Sequence, residues 1–417
     1  LSLNPTQGLA GERILAAASV AFLFLAAFAA SAGLRAAMLT ICGLVLCVRL
    51  RESLALLARV PRDVTIAGAA WLAICLASVA WSVDRDFSLG EVKPEIAYPL
   101  LAFVVFFVAA AREPSLWPKW WLGAMAGGAT AFAGQVLQGW LPVPLMRHDV
   151  DGGDGPFSTH LVLLLPLIFA LDWPPPWGRD HRPRALVAAL CVLLVAAWYT
   201  GNRIVWLAFA AQLCVGILTW KRLPATPRQH AAALRGLAIV VAIAFAVAFA
   251  ASVAERFERN LLHDTGVPPG LGHDLRLKIW AVAGERFLEA PWLGHGFGRE
   301  VLASAFEPLT PPGVNHPLLR HGHNTFIDVA LETGVAGLAA FVALLVALAR
   351  RYHRMLREPA LAPLGMLGLA LLAGFLVKNL TDDFLHRHNA LVFWALNAML
   401  LGLACARPAK EEAAAGS

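Results

Sequence analysis

The sequence predicts an all-α protein that crosses a membrane many times, and three observations support this fold class. Apolar residues make up 59% of the 417 residues, whereas only 15% are charged, against about 25% in soluble proteins. The apolar residues come in blocks of roughly 15 to 25, each long enough to cross a hydrocarbon core of about 30 Å. The alternating strands of an outer-membrane barrel are not evident.

About twelve transmembrane helices follow from these blocks. The block from Ala185 to Trp220 is divided in two, because a single helix of that length would measure about 54 Å. Thr200, Gly201 and Asn202 near its middle are typical of a turn. The predicted spans are residues 14–30, 35–49, 64–81, 96–111, 120–140, 159–173, 185–200, 204–220, 236–253, 326–349, 360–377 and 389–406.

Loop charges predict the orientation of these spans. With the N-terminus in the cytoplasm, the short inner loops hold most of the Lys and Arg residues, as the positive-inside rule requires. Most histidines and carboxylates then fall on the outer side, and both termini are cytoplasmic. We therefore expect transmembrane helices 1–9 within residues 1–253, a large periplasmic loop with an amphipathic helix at 254–325, helices 10–12 at 326–406 and a cytoplasmic tail at 407–417.

The stretch RHGHNTFIDVALETGVAG, residues 320–337, concentrates polar groups at the start of the tenth span. Thr325 and Asp328 have the spacing of a capping box, which predicts Thr325 as the N-cap and places His323 just before the helix. A neutral imidazole there is a competent general base near pH 7. Asp328 and Glu332 share one helix face, which we expect to point into the protein, because a carboxylate facing lipid costs about 3 kcal/mol. The alternative is a structural helix start.

A metal site is the less favoured interpretation of the histidines. His321 and His323 form one HxH pair, and His386 and His388 form another. Such a pair indicates a metal only weakly when no third ligand stands at a fixed spacing. The six cysteines all lie inside apolar blocks, which argues against both a disulfide framework and a thiolate site.

Arginines are the candidates for binding an anion. Arg203 lies at the mouth of two otherwise uncharged spans, where a planar guanidinium suits phosphate oxygens, and snorkelling to the interface is the alternative. Arg276 and Lys278 lie on the predicted amphipathic helix at His273–Ala290, where a solvated charge is the alternative. Arg85 and Lys93 in the first outer loop could help to hold an anion, with surface placement as the alternative. Asp382 and Asp383 could orient a base or an arginine, with a solvated role as the alternative.

Three stretches together resemble the O-antigen ligase/polymerase superfamily. HGHNTFIDVALETGVAG (321–337) is similar to its His-Asn signature before a helix, and YTGNRIVWLAF (199–209) to its arginine-bearing turn. RLKIWAVAGERFLEAPWLGHGFG (276–298) is similar to its Arg-xxx-Trp helix and the glycine-rich segment that follows. Asn202 departs from the Ser that usually precedes the arginine, and His160 from a frequent Asn, so the branch of the superfamily stays open.

The resemblance implies a GT-C-like, metal-independent membrane glycosyltransferase that needs no cofactor and acts at the periplasmic face of a Gram-negative inner membrane. Its donor would be a glycan on undecaprenyl pyrophosphate. In the ligase branch its acceptor would be a sugar hydroxyl of lipid A–core. Membrane lipids are further expected partners, and nucleic acids are not.

The resemblance also carries over site residues. Arg203 and Arg276 would bind the pyrophosphate, and His323 would act as the base or orient the acceptor. The residues expected to bind substrate around them are His321, Asn324, Lys93, Arg85, Lys278, Asp382 and Asp383.

Other functions stay open as alternatives. A polymerase of the same superfamily would use a second lipid-linked glycan as acceptor, and a protein O-oligosaccharyltransferase would use a Ser or Thr. A transporter or flippase of lipid-linked glycans belongs to a different class. Transporters often have repeated halves, but spans 1–6 and 7–12 show no detectable repeat, and the polar groups gather at one face.

Overall fold

The computed structural model describes residues 5–138, 155–168, 182–219, 275–309, 320–381 and 383–415, together with scattered positions between 222 and 251. Within these ranges the regular structure is entirely helical, in agreement with the predicted fold class. Most of the predicted ninth span, 236–253, and the loop stretches 254–274 and 310–319 lie outside the described residues.

The helices of the described ranges follow the apolar blocks closely. A turn of π-helix at Lys93–Ala97 joins α5 to α6. In chain order the α-helices are α1 (Pro5–Leu25), α2 (Ala32–Val48), α3 (Leu50–Leu57), α4 (Arg62–Ser78), α5 (Arg85–Val92), α6 (Tyr98–Arg112), α7 (Trp117–Gln138), α8 (Gly155–Ile168), α9 (Arg182–Tyr199), α10 (Ile204–Thr219), α11 (Leu275–Glu289), α12 (Ala303–Phe306), α13 (Thr325–Met355), α14 (Ala362–Asn379) and α15 (Arg387–Ala415).

Several of these helices are long and apolar enough to cross a membrane, so this is a polytopic membrane protein. α2 and α3 would together make one further span, but they meet at an angle of 102°. The predicted span at 35–49 therefore ends where the chain turns sharply at Arg49. The count of twelve spans stays a prediction. The five segments that qualify within the described residues are Arg62–Trp81, Arg85–Arg112, Thr325–Met355, Ala362–Asn379 and Arg387–Ala406.

The helices pack as a bundle around one apolar core. α6 packs along α15, α13 packs against α4 and α14, and α14 packs against α8 and α10. At one end of the bundle Arg49 and Arg112 both lie 3.5–3.9 Å from the carboxylates of Glu12 and Glu52. All four residues belong to predicted cytoplasmic ends, so the predicted topology brings them to the same end.

Helix α13 is broken near its start. Gly334 has φ 64° and ψ −167°, so the helix before it and the helix after it are separate segments. Residues 291–298, the PWLGHGFG stretch, lie in the break. The backbone hydrogen bonds that join them to α13 run from His295 N to Leu331 O (2.8 Å), from Gly296 N to Glu332 O (2.9 Å), from Val335 N to Pro291 O (2.8 Å) and from Ala336 N to Trp292 O (3.3 Å).

Glycine is required at this break because two backbones meet there. A Cβ built on Gly334 would lie 2.3 Å from the carbonyl carbon of Trp292, and one on Gly294 would lie 2.4 Å from that of Glu332. Real Cβ atoms do not approach backbone so closely, and the φ/ψ of Gly334 is itself accessible almost only to glycine. The glycines of the two sequence motifs therefore serve one structural feature.

Replacing Gly334 with alanine should destabilise the protein by at least ~2 kcal/mol, from backbone strain alone, and the clash with Trp292 adds to it. Thermal unfolding of the purified protein in detergent measures this. Gly284→Ala in α11 is the matched control, because a Cβ there meets nothing within 4 Å and alanine favours a helix by about 1 kcal/mol. Equal stability of the two variants would contradict the role given to the break.

Candidate active site

Residues 321–323 form the histidine turn directly before α13, and Asn324 is the N-cap of α13. Asn324 Oδ1 accepts hydrogen bonds from the backbone N–H of Phe326 (2.9 Å) and Ile327 (3.3 Å). The predicted N-cap, Thr325, is therefore wrong by one residue. Its hydroxyl lies within the first turn and is engaged elsewhere, 2.8 Å from Asn379 Oδ1 and 2.8 Å from Asp383 Oδ1.

The turn itself is organised by Asp328. The N–H of Gly322 donates to Asp328 Oδ1 at 2.5 Å, and His321 Nδ1 lies 3.3 Å from Asp328 Oδ2. His323 has a left-handed backbone, with φ 50°, and its ring centroid lies 4.1 Å from that of His321. Asp328 and Glu332 are both buried, so the prediction that they point into the protein is confirmed.

Helix α11 forms where the amphipathic helix is predicted and contacts this turn. Ile279 and Ala283 are buried against α12 and α13. Trp280 Nε1 donates to Gly322 O at 3.0 Å, which ties α11 to the histidine turn. Arg276 lies one helical turn before Trp280 on the same helix face, and both Arg276 and Lys278 are exposed.

Arg203 lies in the predicted turn between two helices. α9 ends at Tyr199 and α10 begins at Ile204, and Gly201, with φ 61°, makes the reversal possible. Arg203 is partly buried, and α10 packs along α14. The C-terminal end of α14 carries Asn379, which contacts Thr325 of α13.

A second group of charged residues lies beside α13, and only His386 of this group was considered in the sequence analysis, as a possible metal ligand. We call Glu91, Glu95, His386 and Arg387 the Glu95 cluster. Arg387 NH2 lies 2.9 Å from Glu91 Oε1, and its backbone N–H donates to Glu95 Oε1 at 3.1 Å. His386 Nδ1 lies 3.0 Å from Glu95 Oε1. The cluster joins α5 and the π-helical turn that follows it to the start of α15.

His386 is neutral in this cluster. Burial, and secondly the positive charge of Arg299, lower the pKa of His386 well below its ordinary value. Its Nε2 accepts from Arg387 Nε at 3.1 Å, so the ring proton sits on Nδ1 and is donated to Glu95. Ligand atoms of Glu91, Glu95 and His386 lie within 4.8 Å of one another, but the guanidinium of Arg387 already supplies the positive charge between the carboxylates.

Arg299 directly follows residues 291–298, which we call the inserted segment, and connects this segment to the loop before α15. Its NH1 donates to the backbone oxygen of Asp383 at 2.9 Å, and the neighbouring Gly298 N–H donates to Glu332 Oε2 at 3.0 Å. Burial, and secondly the charge of Asp328, raise the pKa of Asp383. The polar side chains that line a small cavity of about 40 Å³ here are Glu95, Arg299, Thr325, Glu332, Asp383 and His386.

A larger apolar cavity of about 310 Å³ lies next to the small one. It runs along α4 and α6 from Leu57 and Val60 to Glu95. Trp71, Glu95 and Trp394 line both cavities, so the apolar space ends at the polar groups beside α13.

The remaining predicted residues are placed less centrally. Arg85, at the start of α5, and Lys93 are exposed, and the Lys93 amine lies 5.7 Å above the ring of Tyr98. The carboxylates of Glu91 and Glu95, rather than these two cations, belong to the Glu95 cluster. The spacing of Glu91 and Glu95, one helical turn apart, was the available signal. Asp382 lies outside the described residues, and Asn324 Nδ2 donates to Leu380 O at 3.0 Å.

Sequence comparison relates the chain to known proteins. Residues 187–342 match the family described as O-antigen ligase, and this range includes Arg203, Arg276 and His323. An O-antigen ligase of Pseudomonas aeruginosa is 25% identical over 285 residues, covering 67% of this chain and 62% of that protein. These matches support an O-antigen ligase-type protein. The chain thus spans less than two thirds of the relative's length. The family match begins in α9 and ends in α13, so it contains α11 and the break.

The neutral state of His386 predicts a pH dependence of stability. Its pKa is lower in the folded protein than its ordinary value of 6.5, so the unfolded chain takes up a proton first as the pH falls. The contribution of His386 to stability is then full well above pH 6.5 and decreases below it, by at most about 1.4 kcal/mol per pH unit for one group. His386→Asn should flatten this part of the curve, measured by thermal unfolding in detergent.

His353→Asn is the matched control, because His353 is exposed near the far end of α13. It should leave the slope between about pH 5 and pH 7 as it is in the wild-type protein. An unchanged slope in His386→Asn would contradict the neutral, buried imidazole.

Proposed function

We propose that this protein is an O-antigen ligase that transfers a glycan from undecaprenyl pyrophosphate to a sugar hydroxyl of lipid A–core. The reaction takes place at the periplasmic face of the inner membrane, inverts the anomeric carbon and needs no metal. The observation that carries the proposal is the hydrogen bond from Trp280 to Gly322. It fixes the helix that bears Arg276 against the turn that bears His323.

The chemistry assigns a role to each group. The acceptor hydroxyl oxygen attacks the anomeric carbon while the bond from that carbon to the phosphate oxygen breaks. His323 takes the proton of the hydroxyl. Undecaprenyl pyrophosphate leaves with increased negative charge, which Arg203 and Arg276 stabilise as preorganised cations. Attack on the side opposite the leaving group gives inversion.

The apolar cavity supports lipid-linked substrates. It extends along α4 and α6 within the membrane and ends at Glu95 and Trp71, beside the polar cavity that reaches Thr325 at the start of α13. Such an arrangement suits a molecule with a hydrocarbon chain in the bilayer and a polar reacting group at the membrane boundary.

Alternative acceptors define the competing functions. A second lipid-linked glycan would make the protein a polymerase, and a Ser or Thr would make it a protein O-oligosaccharyltransferase. The name of the Pseudomonas aeruginosa relative favours the ligase. A flippase would move the glycan lipid without forming a new glycosidic bond, and the imidazole beside a helix start would then have no chemical task.

Substitution of the three proposed catalytic residues should abolish transfer while the proteins stay folded. Purified protein is incubated with a lipid-linked glycan and lipid A–core, and the product is quantified with and without a chelator. We expect His323→Ala to lower the rate at least ~100-fold, and Arg203→Ala and Arg276→Ala to lower it ~100- to 1,000-fold. The chelator should leave the wild-type rate unchanged.

The chain offers matched controls for two of these variants. Arg286 lies on α11 like Arg276 but is paired with Glu289 at 2.8 Å, and His353 lies on α13 far from the turn. Arg286→Ala and His353→Ala should keep the wild-type rate. Full activity in His323→Ala would overturn the site, and transfer only to a lipid-linked glycan or a peptide would overturn the acceptor.

A further inference from the structure

The turn that bears His323 requires contacts that stabilise its backbone. His323 has φ 50°, a left-handed conformation that residues other than glycine rarely adopt. Asn324 caps the helix that follows, but its side chain does not reach the backbone of residues 321–323 in any of these bonds. Asp328, which is 1% exposed, does so through Gly322 N–H at 2.5 Å.

Asp328 also determines what His321 can do. His321 Nδ1 lies 3.3 Å from Asp328 Oδ2 and 3.1 Å from the backbone nitrogen of His323. One nitrogen can donate its proton to the carboxylate or accept from the amide, but it cannot do both. The negative charge of Asp328 therefore determines whether Nδ1 of His321 carries a proton. The protonation of Nδ1 in turn determines whether it accepts a hydrogen bond from the backbone N–H of His323.

The rings of His321 and His323 lie against each other, so the orientation of one ring restricts that of the other. The two ring centroids are 4.1 Å apart and the planes are inclined by 34°. His321 is buried, whereas His323 is partly buried, so the buried ring serves as the fixed surface against which the more accessible ring lies. Glu332, the other buried carboxylate on this face, is instead engaged by Gly298 N–H.

We propose that Asp328 is a positioning residue that acts through His321 to orient the ring of His323. The proposal rests on the proposed function, because a loss of activity has this interpretation only if the protein transfers a glycan. It gives His321 a supporting role and distinguishes it from His323, which would contact the acceptor.

Enzyme kinetics test the coupling. Asp328→Asn keeps the size of the side chain and an acceptor for Gly322 N–H, but loses the charge that faces His321. We expect kcat to fall about 100-fold with KM for the lipid-linked donor within about twofold of wild type, and His321→Ala to show the same pattern. The double variant should be no worse than the poorer single variant, because the two residues act as one unit.

Losses that multiply in the double variant would overturn the proposal, since Asp328 would then act independently of His321. Asp63→Asn is the matched control. Asp63 also lies in the first turn of a helix, but it is paired with Arg354 at 3.8 Å, at the opposite end of α13. The kcat of the Asp63→Asn variant should stay within about twofold of wild type.

A spectroscopic measurement separates this proposal from the proposed function. In protein labelled with ¹⁵N in the histidine rings, the signals of His321 and His323 are assigned with the variants that lack each residue. Asp328→Asn should shift the Nδ1 signal of His321 and broaden or shift the ring signals of His323. This result does not depend on glycan transfer, so an inactive wild-type protein would overturn only the proposed function.

Unchanged ring signals in folded Asp328→Asn would overturn the positioning role, whatever the activity. If Asp328→Asn fails to fold, His321→Ala carries the test, because it leaves the bond between Asp328 and Gly322 in place. Shifted His323 ring signals in His321→Ala would then support the proposal, and unchanged signals would overturn it.

Discussion

Backbone hydrogen bonds between residues 291–298 and the break in α13 are the constraint on which the rest of the site depends. A break in a membrane helix leaves N–H and C=O groups that neither lipid nor the helix can satisfy. The inserted segment satisfies them from outside the helix, at His295 N, Gly296 N and Pro291 O. Because α11 ends at Glu289, directly before this segment, fixing the segment also fixes α11.

The position of α11 then determines the geometry around the histidines. Trp280 reaches the carbonyl of Gly322, and Arg276 lies one turn away on the same face. Gly298, at the end of residues 291–298, donates to Glu332, and Arg299 directly after it donates to the backbone oxygen of Asp383. One short segment thus connects the arginine-bearing helix, the histidine turn and the loop before α15.

Charge is distributed unevenly around α13. In the Glu95 cluster Arg387 contacts both carboxylates and His386 is neutral, so the charges at the end of the apolar cavity lie in direct contact. Arg276 and Lys278, on the side of α11, are exposed cations. This division suits a reaction in which a pyrophosphate is bound by exposed cations and a lipid chain lies along apolar helices.

Much of the fold was predictable, because composition and block length report directly on burial in a membrane. The turn before Arg203 and the helix at α11 follow from local patterns of the same kind. The N-cap was misplaced by one residue because Asn324 and Thr325 are both good capping residues, and only the contact of Thr325 with Asp383 decides between them. The contact of Glu95 with Arg387 spans 292 residues, and no local pattern reports on it.

The break at Gly334 was also beyond local prediction, since a glycine in an apolar run is compatible with an intact helix. The break can be recognised only from the position of residues 291–298, which hydrogen-bond to α13 there.

The most direct test of the central claim is a density map of the protein with undecaprenyl pyrophosphate bound. We expect the diphosphate to lie between Arg276 and Arg203, with the His323 ring on the side from which the acceptor attacks. A diphosphate bound at the Glu95 cluster, or away from the histidine turn altogether, would contradict it.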